Sequence, residues 1–276
     1  MSVYIHGGLR SPIGVLNGQY KHMRPEMLGA QLIDELINRH SILQVDGLFC
    51  GNAVGTGGNI GRLMGLMCNL PNSVPAITVD MQCASALMNI EIAYAHIVAG
   101  IMDSAIAGGI ESSSLQPERV YASGDDRKGT YKVAQFTPQD QSPLAMLEGA
   151  ERTIHKHNVT KEDLYLHIIG SHQRASAALD NPYLQSYIMP ITIDGKRCID
   201  ECIRPTMNEK LLSRMKPLLG ADSITNAGNA CLTHDGAAFV YLSNKKGPFK
   251  IHSVKPWAGN PQFSPEGALE STEGIL

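Results

Sequence analysis

Cys83 occupies the position of a nucleophile. It falls between the apolar stretch at residues 74–79 and a run of small and apolar residues ending at Gly100, so it marks the start of a helix that follows a buried strand. Unpaired backbone N–H groups and the positive end of a helix dipole would stabilise a thiolate there, and the thiolate is the reactive form of cysteine. The competing reading is structural, since a buried cysteine packs as a small hydrophobe. A nucleophilic thiol usually needs a base. The ten histidines are His6, His22, His40, His96, His155, His157, His167, His172, His234 and His252. None lies in a glycine-flanked loop after an apolar strand, where a poised base is expected, so each reads as a surface or hydrogen-bonded core residue.

Other candidate sites are weaker. Thr56-Gly-Gly-Asn-Ile-Gly61 is out of register with the dinucleotide-binding Gly-x-Gly-x-x-Gly, and no Walker lysine is present; it reads as a tight strand-to-helix turn. Cys198-x-x-x-Cys202 lacks a second ligand pair at zinc spacing, so no metal is expected. Two stretches rich in small residues, 107–114 after one apolar strand and 226–238 before another, would let the backbone approach a ligand or another segment closely.

The elements that must position Cys83 alternate between strand and helix. Residues 3–5, 45–50, 74–79 and 104–107 read as strands, the second closed by Gly51-Asn52 and the last by Gly108-Gly109. Residues 25–39 carry Met27, Leu28, Leu32, Ile33 and Leu36 at helical spacing, and about 62–68 form a second helix. This βαβαβ rhythm implies an α/β fold with a mainly parallel sheet covered by helices. The Cys83 helix is apolar nearly all round, which predicts burial on several sides. Residues 111–215 read as a large insertion, with loops at 124–129 and 136–143 and helices at 146–157 and 161–179. Thr160-Lys-Glu-Asp163 forms a capping-box-like start to the second of these. Strands return at 237–242 and 249–254.

Composition narrows the class. A chain of 276 residues with 43% hydrophobic and 18% charged residues is an ordinary globular protein. A net charge of −3 gives no electrostatic reason for a nucleic-acid or anionic-membrane partner. Six cysteines in a chain this long do not form a disulfide framework and suit a reducing compartment. Residues 1–8 read as a strand and turn, not a secretory signal, and no apolar run reaches membrane-spanning length. A soluble, cytoplasmic protein is expected.

Taken in order, the segments resemble the thiolase family. Asp80-Met-Gln-Cys-Ala-Ser-Ala-Leu is similar to its nucleophile motif, and Ala107-Gly-Gly-Ile-Glu-Ser-Ser to the strand and turn after the nucleophile helix. Gly149-Ala-Glu-Arg and Ser171-His-Gln-Arg-Ala are similar to the starts of two loop-domain helices. Ile203-Arg-Pro, Lys216-Pro, Ala227-Gly-Asn-Ala and Asp235-Gly-Ala-Ala resemble the end of the family's N-terminal half. The resemblance runs from Val3 to about Asn244. It implies a thiolase-like βαβαβ mixed sheet with covering helices and an α-rich loop domain. The implied divisions are an N-terminal core at 1–115, a loop-domain insertion at 116–220, a return to the core at 221–246, and the start of a C-terminal half at 247–276. Cys83 would attack acetyl-CoA or a 3-ketoacyl-CoA and carry the acyl group as a thioester. Its backbone N–H, at the helix N-terminus, would serve an oxyanion hole. Arg204, Ala227 and Cys231 would lie against CoA, which enters as part of the substrate and not as a cofactor.

Departures from the family pattern shape the expected partners. The second half normally supplies an Asn-Glu-Ala-Phe segment, a Gly-His-Pro base loop and a Cys-x-Gly acid loop, none of which occurs in this sequence. Cys231 stands where serine is usual, and Ala86 where glycine follows the motif's serine. The residues from Pro265 to Leu276 resemble the first helix of that second half, ending inside it. With the second half absent, the apolar face around Leu87, Ile90 and Tyr94 would be exposed, to be covered by another copy of the chain or a separate C-terminal half. The implied function is a thiolase-type acyltransferase, inactive without a second half. The alternative is a non-catalytic acyl-CoA-binding or scaffold subunit, or an inactive fragment, derived from a thiolase. A ketoacyl synthase shares the fold, but its paired histidines also belong to the half not seen here.

Overall fold

The computed structural model describes residues 1–55, 57–132, 135, 142, 144–263 and 265–273. Thr56 of the glycine-rich turn, all of the 136–143 loop but Ser142, and the last three residues lie outside that description. The chain divides into two compact units: residues 1–117, 182–202 and 233–254 form the first, and 118–181, 203–232 and 255–276 the second.

The first unit opens with β1 (Val3–Arg10), β2 (Gly14–Val15), α1 (Pro25–His40), β3 (Leu48–Gly51), α2 (Ile60–Met67), β4 (Ala76–Val79), α3 (Ser85–Val98) and β5 (Ser104–Ser112). The chain passes into the second unit through β6 (Arg119–Val120), β7 (Thr130–Tyr131), α4 (Ala145–Lys156) and α5 (Lys161–Leu179). It revisits the first with α6 (Pro182–Gln185), β8 (Thr192–Ile193) and β9 (Lys196–Arg197), then the second with α7 (Glu209–Leu212). The strands β10 (His234–Ser243) and β11 (Phe249–Ile251) complete the first unit, and α8 (Glu266–Glu273) belongs to the second.

Local chemistry accounts for the main helices. Pro25 starts α1 where a missing N–H costs nothing, Glu26 faces the positive end, and Ser41 in a left-handed conformation stops it. Thr160 and Asp163 close the capping box expected at the start of α5, each side chain answering the other's backbone N–H at 3.1 Å.

The seven-stranded sheet runs β11-β1-β10-β5-β3-β4, with β2 paired to β10. It is mixed. Only β4, β3 and β5 are parallel neighbours, so the mainly parallel sheet implied by the strand–helix rhythm is corrected. The reason is non-local: β10 enters between β1 and β5 in the opposite direction and pairs with β5 from Asp235–Ser112 to Ser243–Ser104. A second correction concerns β5, which continues through Gly108-Gly109 to Ser112 instead of closing at the glycines.

Strand alternation builds two cores. Leu48, Cys50, Ile106, Ile110, Ala237 and Phe239 pack with α1 and α2 residues such as Leu32, Ile33 and Met64. On the opposite face Phe49, Ala105, Ala107 and Leu242 pack with Ala93 and Ile97 of α3. That helix buries a single stripe, Ser85, Asn89, Ala93 and Ile97. Leu87 is 68% exposed and Val98 39%, so the expected burial on several sides is not found among the described residues: one sheet face covers one stripe. The second unit has its own small core of Tyr165, Met207 and Leu212.

One-sided burial makes a direct prediction. Ile97→Ala should cost about 2–5 kcal/mol in urea unfolding, whereas Leu87→Ala should stay within about 0.5 kcal/mol. Equal losses would mean that α3 is covered on both sides.

Candidate active site

The N-terminus of α3 rests on two glycines. A Cβ at Gly51 would sit 2.8 Å from Ser85 Cβ and 3.1 Å from the Ala86 nitrogen, and one at Gly109 would sit 3.0 Å from the Gly51 carbonyl oxygen. Without those side chains the helix reaches the C-terminal ends of β3 and β5. The link from β4 then has to turn sharply, and Gln82 does so with φ +51°, a left-handed conformation that is uncommon for a residue with a side chain. Three contacts hold it there. Asp80 Oδ1 accepts the Gln82 N–H at 2.9 Å, while Ser85 Oγ accepts the Met81 N–H at 2.8 Å and donates to the Gln82 carbonyl at 2.6 Å. Cys83 is exposed in this turn, two residues ahead of Ser85. The expectation of Cys83 at the helix N-terminus is thus refined: the left-handed Gln82 lifts the thiol out in front of the helix.

Cys83 borders a cleft of about 490 Å³ lined by ends of β1, β3, β5 and β10. Glu111 is its organiser, accepting the Ala53 and Val54 N–H groups at 2.9 Å each, Asn52 Nδ2 at 2.9 Å and the Ser112 N–H at 3.2 Å. Asp235, 1% exposed, accepts the Ser114 N–H at 3.0 Å and the Ser114 hydroxyl. Arg10 donates two bonds of 2.8 Å to Asp200, whose Oδ1 also accepts the Ile13 N–H at 2.7 Å. His234 lines the cleft as well. Sequence reasoning missed Arg10, Asn52, Glu111 and His234. The sequence signals for them are the acid at the end of a glycine-rich strand and the His-Asp-Gly run opening another; His234 heads a strand and is not in the glycine-flanked loop where a base is expected.

The other expected site residues lie in the second unit. Arg204 is exposed, its backbone N–H donating to His172 Nδ1 at 3.2 Å. Ala227 is exposed in a turn held by Asn229 Oδ1 on the Asn226 N–H at 2.7 Å. Cys231 is exposed, with Sγ 3.3 Å from the Leu232 carbonyl. Burial distinguishes three other thiols: desolvation, aided by the Glu111 charge, pushes Cys50 up to about 12, and desolvation also raises Cys68 and Cys198. Among the described residues no group of three or more His, Cys, Asp or Glu side chains could hold a metal, and no helix is long and apolar enough to cross a membrane.

The model of the thiolase N-terminal domain matches residues 3–246. The chain belongs to the thiolase family. Among its curated relatives, the "Putative acetyl-CoA C-acetyltransferase VraB" of Staphylococcus haemolyticus is 32% identical over 86% of this chain, and the protein of the same name from Staphylococcus aureus strain MRSA252 is 30% identical over 88%. The chain spans 64% and 65% of their respective lengths. A crystal structure of the Bacillus anthracis acetyl-CoA acetyltransferase superposes with a TM-score of 0.81 at 23% identity, covering 99% of this chain and 76% of that one; the likeness is one of fold. The α/β sheet with its α-rich excursion is accordingly the thiolase fold.

In this thiolase domain the Arg10–Asp200 pair ties the segment 182–202 to the cleft wall. Desolvation pushes the Asp200 carboxyl up, but the Arg10 and Ile13 hydrogen bonds and the Arg10 charge outweigh it and hold it below the usual aspartate range. A depressed folded-state value contributes stability above the unfolded-state value, about 3.9, and loses it as pH falls through the folded-state value. Asp200→Asn should therefore cost about 1–3 kcal/mol at pH 7, and the gap to wild type should shrink as urea unfolding is repeated below about pH 4.

Proposed function

We propose that this chain is the acyl-accepting part of a thiolase-type acyltransferase, with Cys83 as the nucleophile. The observation that carries the reading is an exposed thiol, on a braced left-handed turn, at the edge of a cleft in a thiolase fold. The Cys83 sulfur would attack the thioester carbonyl of acetyl-CoA or a 3-ketoacyl-CoA, CoA would leave as its thiol, and the acyl group would remain on Cys83. The Cys83 backbone N–H, ahead of α3, is the donor suited to the developing oxyanion. Arg204, Ala227 and Cys231 are assigned to CoA, which serves as substrate and not as cofactor. Condensation and thiolysis then need acid–base groups from a second half. The exposed Leu87, Val98 and Ile101 on and just after α3, with Ile77 on the edge strand β4, suit a covering copy of the chain or a thiolase C-terminal half. Six free cysteines support a reducing, cytoplasmic setting.

Incubation with acetyl-CoA followed by intact and peptide mass spectrometry tests this reading. One acetyl group located on Cys83, absent in Cys83→Ala, is the expected result, with no acetoacetyl-CoA formed by the chain alone. A chain that stays unmodified favours the non-catalytic acyl-CoA-binding reading.

A further inference from the structure

We propose that His234 is the proton acceptor that this chain itself brings to the Cys83 cleft, a role that rests on reading Cys83 as the acyl-accepting thiol. Strand alternation decides which way the histidine faces. Residues 234, 236, 238, 240 and 242 share one side of β10, and Val240 and Leu242 pack in the core that contains Ala93 and Ile97 of α3. His234 is therefore on the α3 face, beyond the glycine-floored end of the sheet where the Cys83 turn sits, and both residues line the same cleft.

The other charged groups of that cleft are already committed. Arg10 is held by Asp200, Glu111 by backbone N–H groups of the loop after β3, and Asp235 by Ser114. The half-buried His234 side chain has no hydrogen-bonding partner among the described residues. Among the described residues lining the cleft it is the one titratable group, apart from Cys83 itself, that is neither charge-paired nor saturated with donors. An imidazole lining the same cleft as an exposed thiol can take its proton. In the step assigned to it, the Cys83 S–H proton passes to the imidazole through the cleft they share. The sulfur bonds to the acyl carbon, the carbon–sulfur bond to CoA breaks, and the departing CoA thiolate takes the proton back from the imidazolium.

The test compares alkylation of Cys83 by iodoacetamide at pH 6.5 and pH 9.5 in the full chain and in His234→Gln, with adducts read at the Cys83 peptide so that Cys231 does not interfere. An unassisted thiol is only about 1% thiolate at pH 6.5. The expected result is a loss of about ten-fold or more in rate at pH 6.5 in the variant, with equal rates at pH 9.5. A wild-type to variant ratio that is the same at both pH values overturns the proposal. The wild-type chain alone also decides should the variant not fold: a rate rising about 100-fold between the two pH values, as for an unassisted thiol, overturns it, and a rise below about ten-fold supports it. Acetylation of Cys83 without His234-dependent alkylation sinks the role of His234 and leaves acyl transfer standing. His234-dependent alkylation without acetylation does the reverse.

Discussion

The contact on which the site depends is the close seating of α3 over Gly51 and Gly109. A strand surface without Cβ atoms lets the helix N-terminus descend far enough for Ser85 to be 5% exposed and to hold both ends of the preceding turn. Small residues continue the fit along the interface, where Ala93 on the helix meets Ala105 and Ala107 on the sheet. The consequence is geometric. The chain leaves β4 at the edge of the sheet and must enter α3 over its interior within five residues, so the strain falls on Gln82 and the thiol next to it is pushed outward. Strain of this kind persists only where surrounding bonds over-determine it, and Asp80 and Ser85 supply those bonds.

Carboxylates do most of the remaining positioning. Glu111 collects N–H groups from the loop after β3, Asp235 fixes the segment after β5 through Ser114, and Asp200 and Glu201 gather the N–H groups of the turns around β2. Each replaces water as the acceptor for loop backbone that would otherwise be buried unsatisfied. A carboxylate that accepts several backbone N–H bonds is fixed in place by them. The acids of this cleft are therefore framework for the loops around it.

Local signals in the sequence were sufficient for what is local. The apolar spacing of Leu28, Leu32, Ile33 and Leu36 located α1, the Thr160–Asp163 pair located the start of α5, and the seam before Ala84 located the Cys83 turn. Sheet order was not local. Nothing between 234 and 243 says that this strand inserts between β1 and β5, because pairing partners lie about 130 and 230 residues away in sequence. The cleft was hidden for the same reason: Arg10, Glu111 and His234 come from three strands and become neighbours only once register is set. The apolar character of α3 misled in the opposite direction, since composition shows that a surface wants cover but not which molecule provides it.

Pleating also explains why one thiol and not another faces the cleft. Cys50 directly precedes Gly51, the glycine beneath α3, and is fully buried. A one-residue step along a strand reverses the direction of the side chain, so Cys50 points into the core with Leu32, Ile60 and Met64 while Gly51 faces the helix. Its thiol donates to the Gly51 carbonyl at 3.6 Å and stays protonated through desolvation. Cys83 differs in environment, not in chemistry: the turn that strains Gln82 removes it from both cores. Which thiol is exposed is thus selected by backbone direction at two points, the pleat of β3 and the left-handed bend before α3.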